Sequence, residues 1–400
     1  MSAASWRTAP LGEVAELDID RVRVEADGSY EISGVLIAGR GLFRRETIKG
    51  AQTTYPTLHR LRAGQLVYRK LTAWEGPITV VPPEFEGTFV SSEFPTFTLN
   101  KAQILPEYLR LVCQRPGFHE EMRLRSTGTA ERRNRLKPAD LLEIEIELPP
   151  VPEQARILLV VGALDEGLAA YRREEEAACA LLVAAREAIL GDLSERRLGD
   201  LLERIEAGKS PKALDRAPQG GEQGVLKVSA IRPAEFRVAE TKVIFDASIF
   251  PGHARVRAGD LLLSRANTRQ LVGATCLVPT EPGELYLSDK TLRLVPHEAE
   301  LDRRYAVYAL AARSTREQIE LGASGTSDSM KNISQAVILN LDIPVPETTE
   351  EQTVIADKLD RLAKAFHDAR RLRTRLEGVR EAALESLLTG EQLVRESLAA

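Results

Sequence analysis

The residues best suited to chemistry in this sequence are basic side chains that cluster in two stretches of its first part. The stretch MRLRSTGTAERRNRLKP sets six basic residues against the single acid Glu131, and GRGLFRRETIKG carries four more. Arginine binds phosphate oxygens and can donate two hydrogen bonds to guanine in the major groove. The stretches therefore predict contacts with DNA, although a solvated run balanced by neighbouring acids is the alternative. The predicted contact residues are Arg40, Arg44, Arg45, Lys49, Arg123, Arg125, Arg132, Arg133 and Arg135.

A thinner set of candidates lies at matching positions later in the chain. AGQLVYRK, which ends at Lys70, matches AGDLLLSR, which ends at Arg265. Arg69, Lys70 and Arg265 are therefore predicted to share one role, contact with DNA from the end of a strand. For Arg265, burial against a carboxylate is an equally open alternative. Asn134 and Asn332 are predicted to bond backbone groups in turns. The remaining candidates for DNA contact are Lys209, Lys212, Asn267, Arg269, Ser327 and Lys331.

No catalytic or metal-binding motif of recognised spacing accompanies these residues. AGKS at 207–210 lacks the earlier glycine of a phosphate-binding loop, because Glu203 occupies that position. The five histidines are scattered without HxxxH or HExxH spacing. No GxSxG motif for an esterase-type nucleophile occurs. We therefore expect a protein that is not an enzyme, with no catalytic residue, no metal and no cofactor.

Composition limits the class of protein further. The chain has 400 residues, which favours two or more domains, and a net charge of −5. Any binding of nucleic acid must then come from local basic patches. Three isolated cysteines indicate a reducing compartment, and no run of about 18 apolar residues is present to span a bilayer. These features predict a cytoplasmic location and no membrane partner.

The elements that must position the candidate residues are duplicated. IELPPVPEQ ends at Gln154 and IPVPETTEEQ ends at Gln352, an offset of 198. Further matches occur in the same order at nearly constant offset, and one of them aligns Asn134 with Asn332. Ordered matches of this kind predict a tandem of two related units. Short strand-like runs mixed with short helices, without regular βαβ alternation, indicate an α+β fold for each unit.

Each unit is predicted to end in a long helix. Apolar residues alternate at spacings of four and three from Ile157 to Ile189 and from Ile355 to Leu387. Such a stripe must be buried against another helix. Pairing of the two helices as an antiparallel coiled coil, with a pseudo-two-fold axis between the units, is the better account; packing of each helix on its own domain is the alternative. The predicted boundaries are 1–150 and 196–346 for the globular domains, with 151–195 and 347–400 for the helices.

On these residues the chain resembles the specificity subunit of a type I restriction–modification system. The resemblance rests on the doubled proline-to-Gln-to-heptad junction, on SGTSDSMKNIS followed by LNLDIPVP, and on GDLLLSRANTRQLVG followed by LSDKTLRLV. It implies two target-recognition domains, each of which reads half of a bipartite, asymmetric site in double-stranded DNA. It also implies that the paired helices set the gap between the halves and dock DNA methyltransferase subunits, and that a restriction and translocase subunit can join.

Two other classes of function stay open from the sequence. A coiled-coil scaffold whose end domains bind proteins is slightly favoured by the net charge of −5. A specificity module of another DNA methylation or defence system is the second. Affinity for DNA that falls steeply with salt separates DNA recognition from the scaffold, because phosphate neutralisation releases counterions.

Overall fold

The chain forms two compact units that share both long helices. The computed structural model describes residues 6–128, 134–327 and 330–390, without the side chains of residues 326 and 327. Unit 1 comprises residues 1–170 with 373–400, and unit 2 comprises residues 171–372. The domain boundaries given in the sequence analysis remain a prediction.

Unit 1 combines short strands with three short helices that each begin with a proline, a residue that suits the first helical position. Its strands are β1 (Arg7–Pro10), β2 (Ala15–Leu17), β3 (Asp20–Arg23), β4 (Ser29–Val35), β5 (Leu42–Lys49), β6 (Thr57–Arg60), β7 (Leu66–Tyr68), β8 (Ile78–Val80), β9 (Phe89–Val90), β10 (Thr96–Leu99) and β11 (Glu145–Leu148). Its helices are α1 (Pro106–Val112), α2 (Pro116–Leu124) and α3 (Pro138–Leu142). The long helix α4 (Val151–Leu190) follows and continues into unit 2.

Unit 2 repeats this mixture of short elements. Its strands are β12 (Glu195–Arg197), β13 (Leu202–Ala207), β14 (Ala213–Leu214), β15 (Gly224–Leu226), β16 (Ile231–Arg232), β17 (Glu235–Phe236), β18 (Thr241–Ile244), β19 (Leu261–Ser264), β20 (Ala266–Asn267), β21 (Thr275–Leu277), β22 (Leu285–Tyr286), β23 (Thr291–Pro296), β24 (Ser324–Ser327), β25 (Met330–Asn332) and β26 (Asp342–Pro344). Its helices are α5 (Arg303–Ala309), α6 (Arg313–Gly322) and α7 (Gln335–Leu339), before the long helix α8 (Thr349–Thr389).

The duplication predicted from the sequence is present in the sheet topology. The central sheet of unit 1 has the strand order β2-β10-β7-β8, and that of unit 2 has the order β13-β23-β19-β21. The register agrees, since Leu66 lies opposite Phe97 in unit 1 and Leu261 lies opposite Leu294 in unit 2. A two-stranded sheet joins the beginning and the end of each globular part, β1 with β11 and β12 with β26. The predicted α+β class with two related units is therefore confirmed.

The repeated glutamine performs the same structural task in both units. The buried Gln154 side chain accepts a hydrogen bond from the Leu105 N–H and donates one to the Gln103 carbonyl, each at 2.8 Å. Gln352, equally buried, makes the equivalent pair of bonds to the backbone just before α5, also at 2.8 Å. A buried amide must satisfy its polar atoms, so this position holds the start of each long helix against the short helix of its unit.

Within unit 1, the beginning of α4 runs antiparallel to the end of α8. Asp165 forms an ion pair with Arg380 at 2.5 Å. Two residues further along α4, a Cβ at Gly167 would lie 3.2 Å from Leu376. Position numbers thus rise along one helix as they fall along the other. The same helix segments also pack on the globular core, where Ile157 and Leu388 belong to one buried cluster.

Unit 2 holds the other halves of the two helices in a similar way. Glu175 of α4 pairs with Arg370 of α8 at 3.7 Å. Leu359 of α8 belongs to the buried core of the unit, against which Leu182 of α4 packs. The two helices therefore bury their apolar stripes both against each other and against the globular parts. Helix pairing and packing on the globular domains, which the sequence left open as alternatives, both occur. None of the helices in the described ranges combines the length and apolar character needed to cross a bilayer.

Candidate nucleic-acid interface

Several candidates of unit 2 converge on the small sheet β20-β25-β24. The backbone of Asn267 pairs with that of Lys331. The Ile333 N–H donates to the Arg265 carbonyl at 3.0 Å, and Ser327 ends the neighbouring strand β24. The structure thus brings together four residues that the sequence proposed separately. We call residues 265–267, 324–327 and 330–333 the unit 2 hairpin site.

The described hydrogen bonds of Arg265, Lys331 and Asn267 go to backbone carbonyls and a hydroxyl. The Arg265 Nη1 donates to the Asp289 carbonyl at 3.4 Å, and its buried Nε has no hydrogen-bond partner among the described residues. No ion pair of Arg265 with a carboxylate occurs in the described ranges, so the expected alternative of burial against an acid is not seen. Lys331 Nζ donates to the Gly325 carbonyl at 2.8 Å, and Asn267 donates to Ser264 Oγ at 3.3 Å.

A second basic stretch, residues 209–212 of the same chain, lies beside the unit 2 hairpin site. The Ser210 hydroxyl donates to the Asp289 carboxylate, which places the exposed Lys209 next to this site. The Arg265 N–H donates to the Lys290 carbonyl at 2.9 Å. Lys290 was not a candidate in the sequence analysis. The strand register makes it equivalent to Glu93 of unit 1, whereas SSEFPTFTL and LSDKTLRLV align Glu93 with Asp289, so no sequence signal could have found it.

Unit 1 builds the same backbone arrangement. Arg135 bridges to both Leu71 and Thr127, as a strand of a small hairpin would. The Leu136 N–H donates to the Lys70 carbonyl at 3.1 Å. We call the described residues 69–72, 126–128 and 134–136 the unit 1 hairpin site. The candidates Arg69, Lys70 and Arg135 are therefore neighbours.

The backbone hydrogen bonds of the two hairpin sites show which residues of unit 1 and unit 2 are equivalent. Lys70 stands where Arg265 stands in unit 2, as the sequence predicted. Arg135, however, occupies the place of Asn332, so the expected match of Asn134 with Asn332 is wrong by one residue. The backbone register shows the equivalence, because Arg135 pairs with Leu71 as Asn332 pairs with Ala266. The Asn134 Oδ1 is buried without a partner in the described part of the chain, rather than bonded in a turn.

The two hairpin sites carry different charges. In unit 1, Arg135 pairs with Glu93 at 3.3 Å and Arg69 pairs with Glu75 at 2.6 Å. In unit 2, Lys290 occupies the place of Glu93. Lys290 itself pairs with the adjacent Asp289 at 3.6 Å. The same backbone therefore carries different charged residues in the two units, with a cation in unit 2 where unit 1 has an acid.

The cations of α2 are neutralised within their helix. Arg123 and Arg125 each pair with a glutamate one turn earlier, and the Arg123–Glu120 distance is 2.5 Å. This hydrogen bond lowers the pKa of the Glu120 carboxyl. Arg132 and Arg133 lie outside the described residues.

The cations of β5 lie on the edge of a different sheet, with the strand order β3-β6-β9-β4-β5. Arg44 pairs with Glu31, and Arg45 stacks on Phe43 with 5.4 Å between the guanidinium carbon and the ring centre. Lys49 is exposed at the end of the strand. The structure therefore does not bring these residues together with the unit 1 hairpin site.

Three further candidates lie outside both hairpin sites. Arg40 donates to the Ile37 carbonyl at 3.2 Å in a turn of unit 1. Arg269 pairs with Glu320 at 3.2 Å, and Lys212 is exposed beyond the stretch that carries Lys209. In the described ranges, no three His, Cys, Asp or Glu side chains are grouped so that they could hold a metal ion.

The fold and the duplicated hairpin sites agree with one class of protein. Residues 191–376 match the family model described as the Type I restriction modification DNA specificity domain. That range, just under half of the chain, covers the globular part of unit 2 and most of α8 but not α4, and the resemblance predicted from the sequence is confirmed.

Individual relatives extend this comparison. The chain is 30% identical over 190 residues to the type I restriction enzyme EcoEI specificity subunit of Escherichia coli, and the match covers 47% of this chain and 31% of that relative. A solved chain from work on complex assembly and conformational transition of the type I R-M system is 21% identical, with a TM-score of 0.57, and the alignment covers 96% of this chain and 97% of that one. The type I restriction-modification S subunit from M. genitalium is 13% identical, with a TM-score of 0.52 and 97% of each chain covered. The two solved structures show that the fold is shared.

Proposed function

We propose that this chain is the DNA-recognition subunit of a type I restriction–modification enzyme. It reads a bipartite, asymmetric site in double-stranded DNA with one globular part per half-site, and it docks DNA methyltransferase subunits and a restriction subunit. In this role the chain is cytoplasmic, performs no covalent chemistry and needs no cofactor. The target-recognition domains are residues 1–150 and 196–346.

The observation that carries this proposal is one backbone site built twice with different side chains. A site for an identical partner would keep its charges in both units. Instead, Glu93 of unit 1 is replaced by Lys290, and Arg135 by Asn332. One scaffold with two sets of polar side chains is what reading two different half-sites requires, because base edges are distinguished by donor and acceptor patterns.

The partner subunits are assigned to the chain through its relatives. The match at residues 191–376 is to a DNA specificity domain, and one structural neighbour comes from work on assembly of the type I R-M system. Helices α4 and α8 keep exposed apolar side chains, which suit a protein partner. These are Leu159, Leu181, Val183, Val354, Leu372 and Val379.

The salt dependence of DNA binding tests the hairpin sites. We expect the full chain with its methyltransferase subunits to bind duplex DNA with an affinity that falls steeply with salt. Lys331→Glu and Arg135→Glu should each weaken binding and flatten the slope of log affinity against log salt by about one unit. The matched control is Lys101→Glu, a lysine in an exposed turn of unit 1.

A DNA affinity that does not depend on salt would contradict this proposal and favour the coiled-coil scaffold. An equal effect of all three substitutions would remove the hairpin sites from the interface, because it would reflect net charge alone.

A further inference from the structure

Unit 2 contains a buried ion triad away from its hairpin site. Arg293 on β23 binds Glu206 through Nη1 at 2.6 Å and Asp260 through Nη2 at 2.5 Å. The three side chains are only 11%, 8% and 10% exposed. Arg293 also donates to the carbonyls of His253 and Arg255. Such a network is costly to bury, since each ion must lose its water.

Unit 1 shows that the fold itself does not require this triad. By strand register, Asp18, Gln65 and Thr96 occupy the three equivalent places. The Gln65 amide and the Thr96 hydroxyl donate to the Asp18 carbonyl, while the Asp18 carboxylate pairs with Arg62 at 2.5 Å. Glu16 stands where unit 2 has Arg204. The concentration of arginine is therefore a property of unit 2 alone.

The triad forms the wall of a cleft of about 410 Å³ in unit 2. Its basic lining consists of Arg204, Arg255, Arg257, Arg293, Arg303 and His253. The two lining carboxylates, Glu206 and Asp260, are both bonded to Arg293. The exposed Arg257 side chain makes no hydrogen bond or ion pair with any residue that the structure describes, and the buried Arg293 Nε has no partner there either.

We propose that this cleft binds a phosphate-class oxyanion. Guanidinium groups present several N–H donors in a fixed fork, which matches the oxygens of phosphate. Arg303 pairs with Glu298, which is 80% exposed, so it can turn to an anion at little cost. Asp260 and Arg265 flank β19 on opposite ends and are five residues apart, about 16 Å in extended chain. The cleft is therefore separate from the unit 2 hairpin site and does not rest on the proposed function.

The equivalent residues of unit 1, Asp18, Gln65 and Thr96, define a variant that tests the arginine cleft of unit 2. Glu206→Asp, Asp260→Gln and Arg293→Thr together install that set in the full chain. This variant is expected to fold, because Arg257 can pair with the new aspartate as Arg62 pairs with Asp18. We expect inorganic pyrophosphate, titrated by calorimetry at constant ionic strength, to bind the unchanged chain. The variant should bind at least about tenfold more weakly, which is the loss expected from charge-assisted hydrogen bonds.

A single substitution at the surface gives an independent test. Arg257→Gln leaves the triad intact and should weaken pyrophosphate binding by about threefold to tenfold, the usual range for one exposed donor. The matched control is Arg196→Gln, which removes an exposed arginine outside the cleft and should leave binding unchanged. An unchanged chain that fails to bind pyrophosphate would overturn the proposal. Equal binding by Arg257→Gln and the unchanged chain would also overturn it.

Duplex DNA distinguishes the two sources of the phosphate. If the cleft takes a phosphate of the nucleic-acid backbone, pyrophosphate competes with DNA, and the triple variant flattens the salt slope by about one unit. If it takes a free phosphate compound, pyrophosphate binds equally to the protein–DNA complex and the slope is unchanged. Both results support the site.

Discussion

Gln154 and Gln352 are the residues whose repetition has the clearest physical meaning. Each side chain is buried and bonds a backbone N–H and a backbone carbonyl just before a short helix. The sequence reveals that the glutamine recurs, but it cannot reveal these bonds, because the partners lie about 50 residues earlier in the chain. The repeated sequence thus marks a structural junction rather than a chemical site.

Substitution of Gln352 by Leu tests this role. The Asp302 N–H and the Glu300 carbonyl would lose their partner in a buried place, which costs about 1–3 kcal/mol for each group. We expect the free energy of unfolding in urea to fall by about 2–4 kcal/mol. Gln270→Leu, at an exposed position of the same unit, is the control and should stay within about 0.5 kcal/mol. A loss as small as that of the control would show that the junction does not depend on the amide.

Side-chain equivalence was harder to predict than the presence of the hairpin sites. The sequence matched Lys70 with Arg265 because a strand-like run with a Gly turn precedes both. It placed Asn134 opposite Asn332, whereas the hydrogen bonds put Arg135 there. The loop from Thr127 to Arg135 has the same length as the loop from Ser324 to Asn332. The identity of the two asparagines therefore misled the match, and the pairing with the partner strand is what fixes the register.

At the scale of elements, the long helices were predictable and the sheets were not. A heptad pattern is local, so it indicated helices that the structure places at Val151–Leu190 and Thr349–Thr389. The pattern only requires that a stripe be buried, and therefore could not show that helices and globular cores share the burial. The strands are two to eight residues long, and many of them pair with strands distant in the sequence, which a local pattern does not encode.

Two glycines of α4 allow a matched test of helix pairing. A Cβ at Gly167 would lie 3.2 Å from Leu376, whereas one at Gly162 would have no atom within 4 Å beyond its adjacent residues and the backbone of its own helix. We expect Gly167→Leu to lower the free energy of unfolding by about 1–3 kcal/mol through overpacking. Gly162→Leu should raise it by about 0.5–1 kcal/mol, because leucine favours helix over glycine. Both are measured by urea denaturation, and equal effects would show that α8 does not pack closely at Gly167.

At the scale of the whole molecule, ordered matches between the halves made the tandem architecture predictable. The agreement of two central sheets, two closing strand pairs and two glutamine junctions confirms it. The bases to be read were not predictable, because they depend on side-chain positions at two sites whose charges differ. Duplication fixes the scaffold, while divergence within it is where the proposed function places the specificity.

The length of the paired helices should set the number of unread bases. Inserting seven residues into α4 next to Glu175 and seven into α8 next to Arg370 lengthens both helices by about 10 Å. That is about three base pairs of DNA at 3.4 Å each. We expect a longer unspecified spacer and unchanged half-sites, determined by sequencing methylated DNA. An unchanged spacer would contradict a measuring role of the helices.

Sequencing the methylated bases of a genome that expresses this chain with its methyltransferase subunit tests the central claim most directly. The account predicts methylation at one asymmetric motif with two specified parts and a fixed unspecified gap. It also predicts that exchange of residues at the unit 2 hairpin site alters one specified part and leaves the other intact. Methylation at a continuous motif, or no methylation that depends on this chain, would contradict it.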